Sequence, residues 1–127
     1  MGFNILVELP KIDGGSRMKV AFIRCMQTED YCPATTDFLV IRERKGAFTG
    51  VEEDIEVVGM NSCGGCPGKK AILRAKEMVK RGADTIVFAS CISKGNPIGF
   101  SCPFARKMID SVRRELGEEI EFLEYSH

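Results

Sequence analysis

Apolar positions along the chain come in two alternating kinds of run. Lys19 to Cys25 (KVAFIRC) is short, nearly continuous and rich in branched side chains. A run of that length fits a strand buried on both faces. Ile55 to Cys63 and Asp84 to Cys91 have the same character, and Ile120 to Tyr125 is a weaker fourth. Between these runs the apolar positions recur at helical spacing. The segment 67–81 puts Ala71, Ile72, Ala75, Met78 and Val79 on one face, opposite charged residues. The segment 103–116 does the same with Phe104, Met108, Ile109, Val112 and Leu116, and 33–45 more loosely with Phe38 and Ile41. Each predicted helix opens on a proline (Pro33, Pro67, Pro103) and stops at a glycine (Gly46, Gly82, Gly117), the asymmetry that helix ends favour.

Strands without polar alternation, separated by helices, predict a parallel sheet covered on both faces. The expected architecture is α/β, a small doubly wound sheet built β-α-β-α-β-α-β. With right-handed crossovers the expected strand order is the flavodoxin-like 2-1-3-4. Pro10 and Gly14-Gly15-Ser16-Arg17 make a turn-rich break just before Met18. Residues 1–17 therefore read as an extension, either flexible or lying ahead of a true start at Met18, and 18–127 as the domain.

Composition narrows the class. The 127 residues suffice for one hydrophobic core, and 44% hydrophobic content is that of a globular chain. Eighteen basic residues balance eighteen acidic ones, and there is no Trp, so nothing favours a nucleic-acid partner. No apolar run reaches the roughly 18 residues of a membrane helix. The first residues lack the basic start and cleavage site of a signal peptide, so a reducing, cytoplasmic setting is expected for the six cysteines.

Those cysteines carry the chemistry. Cys25, Cys63 and Cys91 end predicted strands, while Cys32, Cys66 and Cys102 each precede a proline that opens a predicted helix. In a parallel sheet, strand exits and helix entries share one edge, the edge where open α/β folds place their sites. Packing alone would scatter cysteines along the strands, so six at equivalent turns point to a thiol site. Helix starts favour thiolate, the form that binds metal or attacks disulfides. Cys63-Gly64-Gly65-Cys66 is the sharpest signal, because two residues between thiols suit a shared metal or a reversible disulfide. His127, the only histidine, follows the fourth strand and could reach the same edge.

Over nearly all of 18–127 the sequence resembles the CGGC domain family of bacterial and archaeal proteins. The resemblance rests on Arg24-Cys25, on Gln27 through Pro33, on Thr35 through Phe38, and on Gly46-Ala47-Phe48. It continues through Ser62-Cys63-Gly64-Gly65-Cys66-Pro67-Gly68-Lys69-Lys70, Arg81 to Asp84, Ala89 to Ile92, Pro97-Ile98-Gly99, Cys102-Pro103 and Tyr125-Ser126-His127. The family's cysteines and histidines imply zinc binding, with no established biochemical role. Members often carry a histidine after the last Cys-Pro pair, where this chain has Phe104.

Three functions compete. A metal site, zinc first, would use Cys63 and Cys66 with two more from Cys25, Cys91, Cys32, Cys102 and His127; four thiolates close a structural site. A thiol–disulfide protein or sensor would cycle Cys63 and Cys66. An iron–sulfur protein would also use four cysteines, though the compact ferredoxin spacing is missing. No GxGxxG supports a nucleotide or flavin. Substrate, reaction, protein partners and whether the chain is an enzyme are not specified by any of these motifs.

Overall fold

The computed structural model describes residues 17–127. Apart from Arg17, the predicted N-terminal extension lies outside the described residues. Four strands, β1 (Arg17–Arg24), β2 (Asp54–Ser62), β3 (Thr85–Phe88) and β4 (Glu121–Leu123), form one sheet in the order β2-β1-β3-β4. Every pairing is parallel. The predicted doubly wound α/β fold and its 2-1-3-4 order are therefore observed. The β1–β2 register slips by one residue between Val20 and Ala21, a bulge that sets Val58 out of the ladder.

Alternation along the central strands feeds two cores. Ala21 and Ile23 of β1 and Ile86 and Phe88 of β3 face helices α2 (Lys70–Lys80) and α4 (Ala105–Leu116). Val20, Phe22 and Val87 point the other way, toward Val40 of α1 (Thr35–Glu43) and Phe48. All of these strand residues are fully buried. At about 1.5–3 kcal/mol for each large apolar side chain removed from water, they are the main source of the fold's stability.

The helices begin later than the prolines predict. α1, α2 and α4 start at Thr35, Lys70 and Ala105, so Pro33, Pro67 and Pro103 all lie outside them. The reason is backbone geometry. Ala34 has φ +69° and Gly68 has φ +89°, values a right-handed helix does not accept, so α1 and α2 start only beyond those turns. A short helix that the sequence pattern did not reveal, α3 (Ser90–Ser93), follows β3 directly. On α1 the inward face is also rotated from expectation: Asp37 and Val40 are buried, while Phe38 is 47% exposed. Met26, just past β1, is exposed.

Candidate functional site

The order in which strands are added switches between β1 and β3: the chain leaves β1 for β2 on one side, then crosses back to β3 on the other, all strands running parallel. Such a switch opens a crevice at the carboxyl ends of the two strands. Cys25 directly follows β1, and Cys91 lies in the first turn after β3. The two meet there, the Cys25 backbone N–H donating to Cys91 Sγ at 3.1 Å. Both are buried.

Cys63 follows β2 and is buried; its N–H donates to the Arg24 carbonyl at 2.7 Å. From there the chain turns through Gly64 (φ +80°) and Gly65 (φ +100°), which brings Cys66 out to the surface. A side chain at Gly64 would stand 2.6 Å from Lys70 Cβ, so this turn is closed over by the start of α2. Cys102 is half-buried ahead of α4, its sulfur accepting the Phe104 N–H at 3.4 Å.

Electrostatics tie these thiols to one another. Burial pushes the Cys102 thiol up, and nearby Cys66 and Cys63 add to the push against the opposing Phe104 amide. Burial likewise raises Cys25; the Gln27 amide opposes it, and Cys63 and Cys102 reinforce it. Cys91 is raised by burial, partly offset by the Cys25 amide, with Cys25 and Asp37 as further upward influences. The sequence expectation was thiolate stabilised by helix starts. For these three thiols desolvation wins instead, burial being the largest influence on each; Cys102 also lies three residues ahead of the start of α4.

Cys63 thus influences both Cys25 and Cys102, Cys66 influences Cys102, and Cys91 meets Cys25 through the hydrogen bond to its sulfur. Cys32 is half-buried, and its carbonyl accepts a hydrogen bond from Arg24 Nη2. His127 is held elsewhere: its Nε2 stands 3.8 Å from Oδ1 of buried Asp37, an oxygen with no hydrogen-bond partner. Its main chain is fixed by Ser90, whose Oγ accepts the His127 N–H and donates to the His127 carbonyl, both at 2.9 Å.

The donor set is that of a thiophilic ion. Among the described residues, however, no three His, Cys, Asp or Glu side chains are arranged so that they could hold a metal ion as they stand. Also among the described residues, no helix is long and apolar enough to cross a membrane. Sequence reading missed Ser90, Arg24 and Arg74 as anchors of the site's loops; Arg74 Nη1 holds Ser62, the residue before Cys63, at both Oγ (2.8 Å) and carbonyl (3.2 Å).

Comparison with known proteins gives one family, described as CGGC domain, matching residues 19–127. A relative from Methanocaldococcus jannaschii, the uncharacterized protein MJ0582, is 34% identical over 110 residues, covering 82% of this chain and 80% of its own. No solved structure matches.

Proposed function

Because the chain belongs to the CGGC domain family, a domain compatible with a metal-binding role, we propose that it binds a thiophilic metal ion, zinc first, through Cys63 and Cys66 together with Cys25 and Cys102. The single observation that carries this reading is the placement of Cys25 and Cys63 directly after the paired strands β1 and β2, tied by the Cys63 N–H donating to the Arg24 carbonyl at 2.7 Å, with Cys66 on the turn that follows. Four thiolates satisfy zinc's tetrahedral preference and its affinity for sulfur. Their spacing in this structure is not yet that of ligands, so the ion must draw them together. The exposed Cys66, on its two-glycine turn, has the most freedom to move. Cys91 is less suited, because its sulfur already accepts the Cys25 N–H. His127 is engaged with Asp37 and Ser90, and Cys32 holds its place through Arg24, so neither is in the proposed set.

A second reading has its own support. A buried Cys63 paired in sequence with an exposed Cys66 also fits a dithiol whose outer sulfur meets an incoming disulfide.

Anaerobic purification followed by metal analysis and a visible spectrum separates the two. One colourless zinc per chain, lost in Cys63→Ser and Cys66→Ser, is the expected result. A brown, iron-containing protein would instead favour a cluster. A metal-free protein that loses two titratable thiols on mild oxidation would overturn the metal reading in favour of the dithiol.

A further inference from the structure

Beside the thiols, at the carboxyl ends of β1 and β2, lies an open pocket of about 470 Å³ lined by Arg24, Arg74, Glu29, Asn61, Ser62 and Met26, among others. That volume is in the range of small-molecule sites. Two guanidiniums against one carboxylate leave it net positive, in a chain whose overall charge is zero. Neither arginine finds a carboxylate partner among the described ion pairs. Each is instead bolted to main chain: Arg74 Nη1 to the Ser62 carbonyl and hydroxyl, Arg24 Nη2 to the Cys32 carbonyl. Backbone anchoring of this kind fixes a guanidinium in place while leaving its charge uncompensated. Arg106 and Arg113, by contrast, both pair with Glu124.

The geometry points to a binding site for a small organic anion, whose carboxylate or phosphate group is gripped between Arg24 and Arg74. Planar guanidinium forks suit both oxyanions. Asn61 and Ser62 add neutral polar groups at the strand end, and Met26 supplies an apolar wall. Glu29 repels a second negative group on its side, which favours a ligand with its anionic end at the arginines alone. Because Arg24 and Ser62 directly precede Cys25 and Cys63, a bound anion would lie next to the thiol rim, whatever that rim binds.

Isotope-edited NMR on the full chain tests this with inorganic phosphate and, separately, the monocarboxylate butyrate, each against sodium chloride at matched ionic strength. The expected result is a saturable shift of the Met26, Asn61 and Ser62 amides with phosphate, butyrate or both, and none with chloride. Whichever probe saturates identifies the oxyanion. Arg74→Gln should weaken binding at least tenfold. Since Arg74 also steadies the loop, Asn61→Asp supplies an independent check: it adds a negative charge to the pocket from an exposed position and should weaken binding by about tenfold through repulsion. Shifts that never saturate, that chloride reproduces, or that persist unchanged in both variants would overturn the proposal.

Discussion

Two serines at strand ends do the same job in opposite surroundings. Ser90, just beyond β3, is fully buried, and its Oγ accepts the N–H groups of Ser126 (3.1 Å) and His127 (2.9 Å). Ser62, the last residue of β2, is half-buried, and its Oγ accepts the Gly64 N–H (3.2 Å) and Arg74 Nη1 (2.8 Å). The first locks the chain's final residues against the inner strand; the second steadies the outer CGGC turn. One half of the rim is a fixed base and the other a supported but open loop. That division matches the thiols, Cys91 below and Cys66 at the surface.

Removing the two hydroxyls breaks the comparison most directly. Ser90→Ala leaves two buried N–H groups without an acceptor, at about 1–3 kcal/mol each, so a loss of about 3 kcal/mol is expected in urea unfolding. Ser62→Ala exposes its donors to water and should lose about 1 kcal/mol or less. Equal losses would mean that the outer turn is as rigid as the base.

Gly64→Ala comes next. It forces a side chain into a positive φ and against the Cβ of Lys70, a backbone-proximal atom that cannot swing away. A loss of about 2 kcal/mol is expected, together with a displaced start of α2 seen as shifted amides at 70–72. The same substitution at Gly82 has a positive φ but open space and should lose less, about 1 kcal/mol.

The contrast also explains what was legible in the sequence. Strand order and both cores followed from unbroken apolar runs such as Lys19–Cys25, because a parallel sheet buried on two faces leaves few topologies. The position of Cys25 and Cys63 just past β1 and β2 followed from the same rule. Helix starts did not, because Ala34 adopts a left-handed conformation that no local residue preference announces. The burial of Asp37 in place of Phe38 was likewise not legible, since Asp37 faces His127, ninety residues away in the chain. Nor could spacing alone show that the sulfur of Cys91 is occupied by the Cys25 amide, because that contact joins residues 66 apart in the chain.

Acid sharpens the comparison from the outside. Glu124 leads from β4 into the locked terminal residues, and hydrogen bonding to Arg106 holds its carboxyl below the ordinary 4.5, with Arg113 adding to the effect. A carboxyl lowered in the folded state stabilises it at pH values above 4.5 and loses that contribution as pH falls through the folded value. Glu124→Gln should therefore flatten the acid limb of a stability-against-pH curve. The effect is small, because these side chains are largely exposed and salt screens them. It should shrink further in 1 M salt.

The smallest stability change belongs to the residue with the largest proposed role. Cys66 is exposed, so Cys66→Ser should alter metal-free unfolding by no more than about 0.5 kcal/mol. Cys91→Ser keeps an acceptor for the Cys25 N–H but puts a shorter, more strongly hydrated hydroxyl into a buried site, for which a loss of about 1–2 kcal/mol is expected. Metal content should run in the opposite order, lost in Cys66→Ser and kept in Cys91→Ser when the latter is assayed well below its melting temperature. If Cys91→Ser also empties the protein of metal while remaining folded, the deep thiol is a ligand. The rim would then have to be read as one site rather than as a base beneath a binding loop.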